Sequence, residues 1–111
     1  MSGKPAAASP TTDYADAEGN VLSLRDELSA GTLRELERLD SRPAETDEDR
    51  WQRRVELLFE RLAVGWEISG VPLAGQRELL GRYRMATAEE RRGVRQALAE
   101  HLRTRYPELG V

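Results

Sequence analysis

The stretch TDEDRWQRRVELLFERLAVGWEISGVPL, Thr46 to Leu73, decides how the chain is read. Trp51, Val55, Leu58, Phe59, Leu62 and Trp66 recur at i, i+4, i+7, i+8, i+11 and i+15, which is the spacing of one apolar stripe along an α-helix. Thr46 stands as an N-cap with Asp49 three residues on, and Asp47, Glu48 and Asp49 bring negative charge to the positive end of the helix dipole. Arg50, Arg53, Arg54, Glu56, Glu60 and Arg61 fall on the opposite, solvent-facing side. The spacing therefore predicts a central core helix that includes Trp66, with burial contributing about 1.5 to 3 kcal/mol per large side chain. Gly65, Gly70 and Pro72 break the periodicity, so Gly-Val-Pro at 70 to 72 is expected to form an extended turn.

On the C-terminal side a short helix is predicted from Ala74 to Arg84, packing Leu73, Leu79, Leu80 and Tyr83. Thr87 and Glu90 form a capping-box pattern, and Val94, Ala97, Leu98, His101 and Leu102 make the apolar seam of a last helix that ends near Tyr106, before Pro107. On the N-terminal side Asp40 to Glu45, DSRPAE, reads as a loop because Pro43 cannot donate a backbone hydrogen bond. Leu28, Leu33, Leu36 and Leu39 mark a short helix over 32–40, with Arg34, Glu35, Glu37 and Arg38 outside. Before it, Glu18-Gly19-Asn20 is a turn signal followed by Val21, Leu22 and Leu24, where a brief strand or hairpin is an option. Residues 1–12, MSGKPAAASPTT, hold too little apolar surface to offset the entropy of ordering and are expected to be a disordered tail. The expected architecture is one mainly α domain over 13–111: a small bundle of about four helices, with a short N-terminal β-hairpin as its optional addition.

A length of 111 residues suits one domain. The absence of cysteine excludes disulfides, thiolate metal sites, iron–sulfur clusters and cysteine nucleophiles. With His101 as the single histidine, a Ser/His triad would have to rest on it and a multi-histidine metal site is impossible. His101 lies beside the seam of the last helix, where a partly buried structural role outweighs a catalytic one. Asp47 to Asp49 and Glu89-Glu90 each occupy a first helical turn, which already accounts for them. Gly65, Gly70 and Gly75 are spaced by five and lack the lysine and hydroxyl of a phosphate cradle. A non-enzymatic protein with no cofactor and no metal is expected. No apolar run approaches membrane-spanning length and Met1 to Thr12 lacks a signal-peptide layout, so a cytoplasmic protein is expected.

The net charge of −3 conceals an asymmetry, because residues 13–49 hold twelve acidic side chains against four arginines while residues 77–106 hold eight arginines against four glutamates. Most of these charges are read as solvated helix faces, although the polarity leaves homo-oligomerisation open. Arg91, Arg92, Arg95, Arg103 and Arg105 would let a small helical DNA-associated regulator contact phosphates through its last helix, and this is the alternative function. The interleaved Glu89, Glu90 and Glu100 and the overall acidity argue against nucleic acid as the partner. With only six aromatic residues and a small core, the chain is not expected to bury all of Trp66, Val71, Leu73, Leu79 and Tyr83. These five are the expected protein-binding surface, a groove for a helical partner segment between the central helix and the segment after Pro72.

The succession GNVLSLRDEL (residues 19–28), a charged helix, then LAVGWEISGVPLAGQRELLGRY (residues 62–83) resembles the small tail assembly chaperones of long-tailed bacteriophages. The resemblance covers residues 19–84 and rests on Leu24-Arg25, Gly65-Trp66 and Pro72-Leu73, which it implies are fold-defining positions. It implies a protein made in the infected cell that binds the tape measure protein or the tail tube protein during virion assembly and is absent from the finished particle. The arginine-rich last helix departs from that pattern.

Overall fold

The computed structural model describes residues 10–43 and 46–109. In chain order the elements are β1 (Thr11–Ala15), β2 (Val21–Arg25), α1 (Ala30–Asp40), α2 (Asp47–Leu62), β3 (Ala63–Ile68), β4 (Val71–Ala74), α3 (Gln76–Arg84) and α4 (Ala88–Arg105), closed by a 3-10 turn at Pro107–Leu109. This is a small α+β domain, and the expected mainly α bundle is corrected by its four-stranded antiparallel sheet, ordered β1-β2-β3-β4.

The correction turns on Ala63. The helix α2 starts where the capping pattern places it, with the Thr46 side chain accepting from the Asp49 amide, but it stops at Leu62, and Ala63 adopts the extended angles φ −69° and ψ 126°. Leu62 and Trp66 are four residues apart, a spacing that fits a helix face and the even period of a strand equally well. Chemistry beyond the spacing selects the strand: Val64 and Ile68 are β-branched, and Ser69-Gly70 forms the two-residue loop between paired Ile68 and Val71. Both loop residues hold positive φ, 52° and 80°, the arrangement whose twist matches an antiparallel hairpin. The segment after Gly70 is thus strand β4 and not an extended turn. Pro72 is tolerated in it because β4 is an edge strand.

The N-terminal hairpin raised as an option is present, turning through Asp16 to Asn20 with Gly19 at φ 85°. Its first strand begins at Thr11, so Thr11 and Thr12 are strand residues, while residues 1–9 of the expected tail lie outside the described residues. Ala44 and Glu45 of the expected loop also lie outside them. α1 starts two residues earlier than expected, capped by Ser29, and α4 carries the full reciprocal capping box between Thr87 and Glu90.

Register sorts the two faces of the sheet. Tyr14, Leu22, Trp66 and Leu73 form one row across all four strands, and this row faces the helices. Asp13, Ser23, Gly65 and Ala74 form the next row on the other, uncovered face. A register shift between Ser23 and Leu24 leaves Val64 as an extra residue in β3, which lets the strand leave α2 and still turn Trp66 inward.

The helices close over the inner face, with Leu24, Val55, Leu58, Leu98 and Leu102 fully buried. At the centre the Phe59 ring stacks on Tyr83 from α3 at 4.9 Å and meets the edge of Trp66 from β3 at 5.6 Å. One side chain thereby joins α2, α3 and the sheet. Truncation of Phe59 to Ala should cost about 3 to 5 kcal/mol, because three elements lose a shared contact and a small core cannot collapse around the cavity. Urea denaturation measures this, and a midpoint within error of the parent protein would refute the packing.

Candidate partner-binding edge

In an antiparallel hairpin, alternate residues turn their backbone groups toward the partner strand and away from it. The Asp16 amide donates to the Asn20 carbonyl at 2.9 Å, and at the other end of the hairpin the Asp26 amide donates to the Pro10 carbonyl at 2.9 Å. Counting inward from both ends, Thr12 and Tyr14 point their amides at β2, so Thr11, Asp13 and Ala15 point theirs outward. Among the described residues none of these three amides has a hydrogen-bond partner, and all three residues are exposed. A half-ladder of three donors and three acceptors is left facing outward, the arrangement that accepts an added strand.

The opposite edge is closed. Ile68 and Val71 flank the two-residue loop as a hydrogen-bonded pair, so Pro72 and Ala74 are the residues whose backbone groups face outward on β4. Pro72 has no N–H, and the Ala74 amide is bonded to the Glu78 side chain at 3.3 Å. Both outward donor positions on β4 are therefore removed from competition, and the two edges of one sheet differ in kind.

Beside β1 runs α4. Tyr14, Ala15, Asp16, Gly93, Ala97 and Glu100 line a cleft of about 110 Å³ between them. A second cleft, of about 180 Å³, continues along the hairpin turn past Glu18, Glu89 and Arg92. A Cβ on Gly93 would come 3.0 Å from the Asp16 carboxylate, so glycine is what lets the turn approach the helix here. Asp16, Glu18, Glu89 and Glu100 give this side an acidic rim, with Arg92 its one cation among the lining residues.

His101 fixes the spacing between strand and helix. Fully buried, it meets the Tyr14 hydroxyl through Nδ1 at 2.8 Å and the Arg25 carbonyl through Nε2 at 2.7 Å. A carbonyl only accepts, so Nε2 carries the proton and Nδ1 accepts from Tyr14. Burial, and next the Glu100 carboxylate, raise the Tyr14 phenol above its ordinary value, which keeps that hydroxyl a donor. The expected structural histidine is thus more deeply buried than the sequence indicated, and no acid–base partner beyond a phenol and a carbonyl faces it.

The five residues expected to bind a partner are divided by the fold. Trp66, Leu79 and Tyr83 are 3%, 2% and 2% exposed and form the core, so none offers a ring or branch to an incoming helix. Leu73 is half-buried on the inner face of β4, and only Val71, at 59%, stands in solvent. The reason is the strand at Ala63–Ile68: it turns Trp66 under the helices, where Phe59 and Tyr83 enclose it. The β1 edge was missed because its residues, Thr11 to Ala15, straddle the expected tail. The signal that could have found it is the alternation of Thr12 and Tyr14 against polar neighbours ahead of Gly19-Asn20.

The charge asymmetry resolves partly within the molecule, since Glu48 pairs with Arg95 and Asp26 with Arg105, both at 3.0 Å. Arg91 and Arg95 lie over the Tyr83 and Trp51 rings at 5.5 and 5.8 Å. Among the described residues no helix is long and apolar enough to cross a membrane, and no three His, Asp or Glu side chains gather as a metal site. No protein-family model, curated protein or solved structure matches the chain.

Where α3 meets α4, Arg82 donates to Glu90 at 3.0 Å, and this bond, followed by the Thr87 amide, holds the Glu90 carboxyl below its ordinary value. A depressed carboxyl stabilises the fold above its unfolded pKa and loses that contribution as pH falls through the folded value. Glu90→Gln keeps the capping geometry and removes the charge. The variant should be less stable than the parent at neutral pH, and the gap should close as pH falls through the lowered folded value of the carboxyl. Urea midpoints across an acid pH series check it, and a gap independent of pH would contradict it.

Proposed function

We propose that the chain is a non-catalytic assembly factor of the tail-assembly-chaperone kind, which takes an extended segment of a protein partner as a fifth strand on β1. The observation that carries the reading is the contrast between the edges: β4 has both outward donor positions blocked, and β1 has three without a partner among the described residues. An edge left open beside an edge closed by Pro72 and Glu78 is what a one-sided strand acceptor requires, because unguarded edges otherwise promote indiscriminate association. Main-chain pairing along Thr11, Asp13 and Ala15 supplies affinity, and the α4 wall with Gly93, Ala97 and Glu100 supplies the side-chain selection. The acidic rim favours a segment that carries basic side chains.

Tape measure protein and tail tube protein are the partners this reading names, on the strength of the resemblance over residues 19–84. Held in this way, a partner segment prone to self-association is shielded through its own backbone, which requires neither a cofactor nor a reaction. The work would be done in the cytoplasm of the infected cell, before the particle is complete. The helix-in-groove arrangement anchored on Trp66 and Tyr83 is set aside, because those rings are core.

Ala15→Pro removes one outward amide and places a ring where the added strand would lie, copying what Pro72 does on the other edge. Co-expression with a tape measure protein, followed by pull-down, should give capture by the parent protein and a loss of at least about tenfold in affinity for the variant. Circular dichroism and a thermal melt establish first that the variant is folded. Equal capture by a folded variant, or no capture by the parent, defeats the proposal.

A further inference from the structure

A separate cleft of about 320 Å³ lies on the far side of α4, between its first turns, α2 and the end of α3. Gln52, Tyr83, Ala88, Arg91, Arg92 and Arg95 line it, so three arginines border one space and no carboxylate is among the lining residues. Two of the polar groups there are unfinished. Tyr83 is 98% buried by its 2% exposure, yet its hydroxyl has no hydrogen-bond partner, and the Nε of Arg91 is likewise buried and unpartnered. A buried donor left unmade costs free energy, so two beside one cleft call for an acceptor.

We infer that this cleft binds the phosphate group of a small phosphomonoester, with Tyr83 and Arg91 as the inner donors and Arg92, Arg95 and Gln52 closing around it. Phosphate suits the site better than a single carboxylate because it brings close to two negative charges and three acceptor oxygens to several convergent donors. The volume is that of a small-molecule site at the lower end of its range and would seat one phosphate with a small organic body. Arg91 is held in place by donating to the Arg84 carbonyl at 2.8 Å while its guanidinium covers the Tyr83 ring. Arg95 is occupied by Glu48, an exposed side chain of α2, at 3.0 Å. Glu48 therefore holds the place of a ligand oxygen on Arg95 and is displaced when phosphate enters. The site is independent of the β1 edge, apart from Arg92, which borders both clefts.

The test is titration of the full chain at constant ionic strength with inorganic phosphate, with phosphoserine and with a short single-stranded oligodeoxynucleotide. Calorimetry and tryptophan fluorescence are the readouts, since Arg95 lies over the Trp51 ring. Saturable binding of phosphate and phosphoserine below about 10 mM is expected. Arg92→Gln should weaken it about tenfold, the value of one charge-assisted hydrogen bond. Glu48→Gln should tighten it, whereas Glu35→Gln, the same charge change on α1, should not. Tyr83→Phe separates function from packing: loss of an orphaned hydroxyl should leave the melting temperature unchanged or higher while phosphate binding falls. Non-saturable binding, binding indifferent to Arg92 and Tyr83, or affinity that appears only with the oligonucleotide would each overturn the assignment.

Discussion

The buried imidazole of His101 is the constraint on which the arrangement of the molecule depends. A single polar ring at 0% exposure must satisfy both nitrogens inside the protein, and it does so on two different strands, through Tyr14 of β1 and the Arg25 carbonyl of β2. α4 is thereby tied to the first hairpin at a fixed distance and rotation. Around that link sit further ties of the same helix end: the Tyr106 hydroxyl accepts from the Leu28 amide, and Arg105 meets Asp26, which also accepts from Thr12. The outermost strand is held by side chains from beneath, and among the described residues nothing pairs with its outer backbone amides.

That arrangement gives α4 three separate tasks. Its seam of Val94, Ala97, Leu98 and Leu102 closes the core; the side bearing Gly93, Gln96 and Glu100 forms the wall beside β1; its first turns, with Arg91, Arg92 and Arg95, border the basic cleft. The apolar face is shared out as closely. Phe59 holds Tyr83 and Trp66 at once, so the rings that sequence composition suggested were surplus are all consumed by one contact set. What the described residues leave for recognition is backbone and charge, with large exposed apolar side chains reduced to Val71 and Met85.

Helices were legible in the sequence where a cap and a seam agreed. Thr46 with Asp49 and Thr87 with Glu90 marked two starts correctly because capping is a local interaction that the sequence carries in full. The end of α2 was not legible from periodicity, since Leu62 and Trp66 satisfy both repeat lengths, and the Trp51-to-Trp66 stripe looked continuous across a real break. Ile68-Ser69-Gly70-Val71 holds the deciding information, a two-residue hairpin loop, but a glycine with a proline after it reads equally as a simple breaker. Of the sites, His101 could be placed beside a core from its spacing alone. The open edge could not, because an edge is defined by which strands pair, and pairing of β2 with β3 joins segments some forty residues apart.

The central claim is that Thr11, Asp13 and Ala15 present free backbone groups that a partner strand completes. Amide hydrogen exchange resolved by residue tests it most directly, in the protein alone and in its co-expressed complex. The account predicts that these three amides exchange rapidly in the free protein while Thr12 and Tyr14 between them are protected, and that all five are protected in the complex. Protection of Thr11, Asp13 and Ala15 in the free protein, or their continued rapid exchange in the complex, would contradict it.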